Sequence, residues 1–295
     1  CQYSTLCSSC FSNNKKEQGL KAIAFITVML CGSLIMFSTF EFPDWGDPQS
    51  PASSHLSPYF IEQSLVDTAV PNIVTAVLAD YRGFDTMFET TVIFAAGLAC
   101  FFLLRTFTKK SRTERLYRHS STGIIINIKK GGKRPDDSSK FERIDSLWTP
   151  YDLIIKTTCR LIIPSIQLFA LYVIAHGHHS PGGGFQGGVI LGASIILLAI
   201  SNDLRSTLRR MSEKASAIMA AAGVLIYVGT GLLCLLMGAA FLDYEALAPL
   251  LQSGRIMARS HGILIVEIGV GLAVMAVMIW LYYNISSAGK HDEGL

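Results

Sequence analysis

Charge is scarce in this chain. Asp, Glu, Lys and Arg make up 16% of its 295 residues, where an average soluble domain carries about a quarter. The shortage is uneven, leaving nearly charge-free runs of the ~17–25 residues that cross a bilayer as a helix. A second cysteine pair is also missing, so Cys7-Ser-Ser-Cys10 has metal or redox spacing but nothing to complete a zinc or iron–sulfur site. No phosphate loop, nucleophile–base pair or redox ligand set occurs, which leaves nothing on which to build a stand-alone enzyme. No resident cofactor or metal is expected. Nor is there an internal repeat of fixed period, so an inverted-repeat transporter core is not indicated.

What is present is apolar. Half the residues are hydrophobic, and the mean hydropathy is +0.40. Six runs stand out: Ala22–Phe40, Thr86–Leu104, Leu153–Ala175, Gly182–Ile200, Ala215–Leu242 and Gly262–Tyr283. They predict an all-α integral membrane protein with about six transmembrane helices. Ala22–Phe40 reads as a retained anchor, because it exceeds the ~7–15-residue core of a signal peptide and no small-x-small site follows. Cys31, Cys100, Cys159 and Cys234 fall in spans, where a thiol is a small apolar filler.

Basic residues orient the spans, since they accumulate on the cytoplasmic side. Lys15, Lys16 and Lys21 precede the first span, and Arg105 to Arg143 crowd the loop after the second. Arg205, Arg209, Arg210 and Lys214 follow the fourth. The opposite side offers only Arg82, Arg255 and Arg259, and its first loop carries Glu41, Asp44 and Asp47. Both termini are therefore expected in the cytoplasm. The net charge of +3 is an orientation signal and does not indicate nucleic acid.

The chain divides into a two-span module (1–104), a basic linker (105–150) and a four-span domain (151–295). The linker holds Lys-Gly-Gly-Lys-Arg-Pro-Asp-Asp-Ser-Ser, a flexible composition. Gly123–Ile128 in it predicts one short strand. Pro71–Ala79 predicts a short helical turn leading into the second span.

Four constellations can carry chemistry, and each has a structural reading beside the functional one. Asp80-Tyr-Arg-Gly-Phe-Asp85-Thr-Met-Phe-Glu89 puts Asp85 and Glu89 four apart, on one helical face. Facing carboxylates do not both ionise cheaply, so one can take up a proton or a sodium ion, with Arg82 to tune or lock the pair. Asp80 opens the same stretch and joins the candidates. Alternatively, Asp85 caps the span and Glu89 is a first-turn acid. Glu89 is followed by fifteen uncharged residues, and an acid within a membrane span defaults to function.

Asp152, Lys156 and Arg160 form an i, i+4, i+8 stripe. Either its cations snorkel to lipid headgroups, or Lys156 belongs to a buried ion path. His176-Gly-His178-His179-Ser-Pro181-Gly-Gly-Gly184-Phe185-Gln-Gly187-Gly188 joins the third and fourth spans. Pro181 stops a helix, and Gly182, Gly183 and Gly184 permit positive φ, so a tight turn is expected. Gly187, Gly188 and Gly192 give the next span a smooth side for close helix packing. His176, His178 and His179 read as proton acceptors, as a pH sensor or as members of a wet turn; three imidazoles could also ligate a metal, but no carboxylate or thiol stands nearby and a turn holds them loosely. In the last span, Arg255 and Arg259 share a face. Glu267 lies deep enough to need a partner, and His261, six residues away, is not a simple one.

Two of these stretches carry a family resemblance. Asn72-Ile-Val-Thr-Ala-Val-Leu followed by Asp80-Tyr-Arg-Gly-Phe-Asp-Thr-x-x-Glu89 resembles the C-terminal part of the large A-type component of Mrp-type Na⁺/H⁺ antiporters. It equally resembles the small E-type component of membrane-bound hydrogenases. Tyr151–Asn202, centred on Gly177-His-x-Ser-Pro-Gly-Gly-Gly-Phe-Gln-Gly-Gly188, resembles the B-type antiporter component (MnhB/MrpB-like), as does the layout of the four spans. The resemblance implies a fusion of two neighbouring subunits of a multisubunit cation/proton antiporter in the inner (cytoplasmic) membrane. Its partners would be other Mrp-like or hydrogenase-like membrane subunits, the lipid bilayer, and Na⁺ and H⁺ as transported ions. The glutamate ending the first motif, here Glu89, would lie on the ion path, and Pro181–Gly188 would serve a subunit contact. The family's turn usually reads Gly-His-Asn where this chain has Gly177-His178-His179, and its last span usually carries Asp where Glu267 stands. Two other readings stay open: a membrane-arm component of a redox-driven pump, and a purely structural assembly component.

Overall fold

The computed structural model describes residues 3–107, 115–119, 121–128, 140–144, 153–202 and 204–287. Asp152, the acid of the third-span stripe, lies outside the described residues, as does the Lys-Gly-Gly-Lys stretch of the linker. The side chains of Cys7, Cys10, Lys15 and Lys16 fall outside them too. The chain forms two compact units, Cys1–Pro58 and Tyr59–Leu295.

The first unit contains α1 (Tyr3–Ser38), a 3-10 turn (Thr39–Glu41) and a π-helical turn (Ala52–Leu56). Every side chain from Lys21 to Glu41 is exposed. Its hydroxyls are satisfied internally, as where Thr27 and Ser33 donate to the carbonyls of Ile23 and Met29, four residues back. A bilayer demands that economy, because its core offers no water to polar groups.

The second unit holds α2 (Ser57–Thr68), α3 (Ile73–Ala76), a π turn (Val77–Tyr81) and α4 (Gly83–Phe107). After the linker come α5 (Leu153–Ala175), α6 (Gly184–Ser201), the short α7 (Leu204–Arg210), α8 (Glu213–Leu236), α9 (Ala248–Leu251) and α10 (Arg255–Ser287). Six helices, α1, α4, α5, α6, α8 and α10, are long and apolar enough to cross a membrane. The chain is an all-α, multi-pass membrane protein.

Helix limits follow local chemistry. Ser212 caps α8 by accepting from the Ala215 amide, and Gly238, at φ +85°, turns the chain after it. That glycine shortens the Ala215–Leu242 run to a helix ending at Leu236. Ala69, at φ 55°, and then Pro71 close α2. Asn72 opens α3 by accepting from the Val74 amide. The expected turn over Pro71–Ala79 is thus α3 followed by a π turn. Its wide bonding leaves carbonyls for side chains: Thr86 donates to Leu78 O at 2.8 Å and Tyr244 to Ala79 O at 2.9 Å.

Helix α10 is the axis of this unit, packed along α8, α6 and α4, while α5 packs along α6. Small residues set these crossings. Main chains meet where Gly223 of α8 faces Gly269 and Ala273, and where Gly188 of α6 faces Gly271. Between helices in lipid there is little hydrophobic drive, so close backbone approach supplies the attraction. With 33 residues, α10 is about 50 Å long at 1.5 Å per residue, well beyond a ~30 Å hydrocarbon core. It therefore extends past the expected Gly262–Tyr283 at both ends.

The linker holds more sheet than its composition suggests. β1 (Arg115–His119) is the middle strand, antiparallel to both β2 (Ile125–Ile128) and β3 (Phe141–Ile144). Only β2 was legible in the sequence. β1 and β3 mix charged with apolar residues, and backbone pairing across the sheet defines them. Gly123, at φ +70°, makes the turn between β1 and β2.

Candidate functional site

The site forms where α3 meets the turn between α5 and α6. Asn72 holds that turn with one side chain: its Nδ2 donates to Gly177 O at 2.9 Å and to Ser180 O at 2.6 Å, and reaches the Thr75 hydroxyl at 2.9 Å. The Asn72 amide donates to His178 O at 2.9 Å, and the Thr75 hydroxyl donates to Gly177 O at 2.8 Å. On its far side the turn is tied to α10, where His178 Nε2 lies 2.9 Å from Ser260 O. The two motifs that carried separate resemblances are therefore bonded to each other, across more than 100 positions of sequence.

Glu267 lies inside this turn, buried at 8% exposure. A Cβ on Gly177 would stand 2.5 Å from its Oε2, one on Gly183 would overlap its Oε1, and one on Gly184 would overlap its backbone oxygen. The Gly184 amide and the Thr75 hydroxyl are its polar neighbours. The Thr75 proton is already given to Gly177, and Glu267 Oε2 has no hydrogen-bond partner. The glycines therefore serve close approach and do not supply unusual backbone angles. Positive φ among described glycines occurs at Gly46, Gly123 and Gly238, and Gly183 is extended at φ −151°. This corrects the expectation of a turn built on positive φ. Helix α5 ends at Ala175, ahead of Pro181, and the Gln186 side chain accepts from the Gly183 amide to start α6.

A cleft of about 240 Å³ opens over Glu267, lined also by Thr75, Leu78, Thr86, Glu89, Gln186 and Tyr227. Glu89 is exposed on the face of α4, about 9 Å along the helix from its start at Gly83. It shares the cleft with Glu267. Asp85 is exposed and paired to Arg82, whose Nε donates to Oδ2 at 2.7 Å. Arg82 thus engages Asp85, and among the described residues no ion pair joins it to Glu89.

Asp80 belongs to a second group, outside the spans. Arg259 Nε donates to its Oδ2 at 2.8 Å and Nη1 reaches Glu245 at 3.5 Å, while the guanidinium lies 5.8 Å from the Tyr81 ring. Burial lifts the Asp80 carboxyl above the ordinary Asp range, against the pull of Arg259, and Asp243 and Asp67 push the same way. Tyr81 donates to Asp67 at 2.7 Å and Tyr59 does so at 3.2 Å. Burial and Asp67 raise the Tyr81 phenol.

The other candidates lie elsewhere. His179 is exposed, and His176 stacks on Tyr172 with ring centroids 4.1 Å apart. Lys156 is exposed on α5 and lines a different cleft. Phe185 and Gly182 border the Glu267 cleft, whereas Gly187 faces Ala170 and Ile174 of α5. Among the described residues no group of three or more His, Cys, Asp or Glu is placed to hold a metal ion. Thr75 and Tyr227 were not singled out from sequence. An Asn before a short helix signals the Asn72 cap, but nothing local announces its grip on the turn.

Residues 154–280 match the family model described as a domain related to the MnhB subunit of Na⁺/H⁺ antiporter. A putative antiporter component named mnhB2 from Staphylococcus epidermidis is 30% identical over 138 residues, covering 46% of this chain and 94% of the relative. The chain belongs to the MnhB family. In this MnhB-family chain, residues 23–118 also match a second family model, MbhE, which describes the E component of MBH. The B component of the Na(+)/H(+) antiporter of Bacillus subtilis is 41% identical over 93 residues, 32% of this chain and 64% of the relative. The A/B component of a probable K(+)/H(+) antiporter of Rhizobium meliloti is 27% identical over 196 residues, 66% of this chain and 19% of the relative. The MnhB-family chain thus spans less than two thirds of the length of each of these last two.

Two solved assemblies contain chains of similar fold. One is the membrane-bound sulfane sulfur reductase, an archaeal respiratory membrane complex (TM-score 0.53, 22% identity, 90% of this chain and 97% of that one). The other is the Mrp complex from Dietzia sp. DQ12-45-1b (TM-score 0.52, 24% identity, 95% of this chain and 26% of that one).

Proposed function

We propose that the chain is a non-catalytic membrane subunit of a multisubunit Mrp-type antiporter that exchanges Na⁺ for H⁺ across the inner membrane. Residues 1–104 stand for a segment of the A-type component and 151–295 for the B-type component, joined by the linker, with both termini cytoplasmic. The observation that carries this reading is the Glu267 carboxylate: buried, one oxygen without a partner, at the base of a cleft it shares with Glu89. A carboxylate oxygen left open inside a span can take a proton or a cation. An exposed acid on a spanning helix is costly against lipid, so Glu89 calls for a neighbouring protein or a water path beside α4. The Asn72–Gly177 clamp gives the glycine turn its packing role.

The test is ΔpH-linked Na⁺ efflux in vesicles carrying the assembled complex, with Glu267→Gln, Glu89→Ala and Glu89→Asp. Loss of exchange with Glu267→Gln and Glu89→Ala, and partial retention with Glu89→Asp, are expected. Unchanged exchange in a fully assembled complex would leave a structural assembly role in its place. A second reading, a membrane arm of a redox-driven pump, is favoured by the fold likeness over 97% of a respiratory-complex chain and by the MBH match. Hydrogenase or ferredoxin-type genes beside this one would select it.

A further inference from the structure

A cleft in the second unit lies at the other end of α5 and α6 from the glycine turn. It measures about 1070 Å³. One helical face of α5 forms a wall through Lys156, Arg160, Ile163, Pro164 and Gln167, and one face of α6 forms another through Leu191, Ser194, Ile195 and Leu198. The spacings of three and four keep each set on a single stripe. Helix α5 packs along α6 and α8 along α10, and no extended contact joins α5 to α8 among the described residues. The cleft is the gap these two helices leave.

Its chemistry is graded. Among the described residues, cations stand only at the end where α5 begins and α7 closes: Lys156, Arg160 and Arg210. Arg160 and Arg210 are exposed there, and no carboxylate lines the cleft among the described residues. The nearby Glu213 accepts from Trp280 Nε1 at 3.2 Å and Asn284 Nδ2 at 3.3 Å. Deeper in, Ile163, Leu191, Met219 and Met275 supply an apolar wall. Methionine adapts to irregular chain-like shapes. From Lys156 to Gln167 the cleft follows α5 for about 16 Å, the depth of roughly one leaflet of a ~30 Å hydrocarbon core.

We infer that this cleft binds one anionic phospholipid of the cytoplasmic leaflet, its phosphate between Arg160 and Arg210 and an acyl chain along the methionine wall. The guanidinium fork matches phosphate oxygens in pairs. Basic pockets between spanning helices on the cytoplasmic side are the setting in which acidic headgroups are held. An acidic protein helix would satisfy the arginines equally, but a charged head joined to a leaflet-deep apolar tail is the chemistry of a lipid.

The test uses the full chain, purified with its accompanying subunits in detergent and stripped of lipid. Native mass spectrometry then counts added dioleoylphosphatidylglycerol against dioleoylphosphatidylcholine. The wild type is expected to retain one phosphatidylglycerol with a preference on the order of tenfold. Arg160→Gln with Arg210→Gln is expected to abolish the preference. Arg209→Gln with Lys214→Gln, exposed cations outside the cleft, is expected to leave it intact. Glycerol phosphate alone should not compete. Equal retention of both lipids would overturn the inference, as would equal loss in both double variants or full competition by glycerol phosphate. Cross-linking of Cys placed at Arg160 to a neighbouring protein would show instead that protein covers the cleft.

Discussion

Gly183 and Glu267 occupy the same place from two sides: a methyl group on Gly183 would overlap the Oε1 of Glu267. A loop at the end of α5 thereby becomes the enclosure of a carboxylate on α10. The glycines are the shape that the acid requires.

Gly184→Ala should be among the most damaging small substitutions in the chain. Its Cβ would overlap the Glu267 carbonyl oxygen, and main chain cannot swing aside as a side chain can. Overpacking of this kind costs about 1–3 kcal/mol. A lower melting temperature and reduced amounts of the chain in membranes are expected. Gly229→Ala, a helical position with nothing within 4 Å, is the control and should be neutral or stabilising.

Asn72→Ala should loosen the turn. One side chain serves the carbonyls of Gly177 and Ser180, and removing it leaves them short of donors at about 1–3 kcal/mol. Hydrogen exchange at 176–183 should accelerate more than at α8. Equal protection in the variant would show that the remaining bonds, from Thr75, the residue-72 amide and His178, hold the turn.

Stability should fall with rising pH through the Asp80 group. Its carboxyl is raised by burial, so the folded chain holds that proton more tightly than the unfolded chain does. Stability from this source is full at low pH and declines as pH climbs from the ordinary Asp value of about 3.9 through the raised folded value. Asp80→Asn should flatten that part of a melting-temperature profile. A profile of unchanged slope would mean that Arg259 outweighs the burial.

Tyr244→Phe should destabilise by about 1–2 kcal/mol, because the buried hydroxyl donates to Ala79 O within the π turn. Tyr227→Phe, which frees Gly83 O, should act similarly. Thermal melts of both, compared with Tyr172→Phe on an exposed face, measure the difference.

The acids were legible as candidates, but their burial and partners were not. Glu89 drew attention for the uncharged run behind it, yet it stands exposed on α4, while Glu267 is buried. Asp85 and Glu89 share a helical face by spacing, but Arg82 takes Asp85 at short range. Asp80 found its partner, Arg259, 179 positions away, a distance no local pattern spans.

Hydropathy was enough for the six spans, because transfer into lipid is a property of each segment alone, and the placement of basic residues gave the expected orientation. Which face of each span meets protein was left to the tertiary structure. In lipid both faces are apolar, so no periodicity separates the side that packs from the side that meets acyl chains. The glycine-lined enclosure of Glu267 and the Asn72 clamp exist only once α3, α5, α6 and α10 have come together, and the arginine-rimmed cleft only once α7 and α8 have joined α5 and α6.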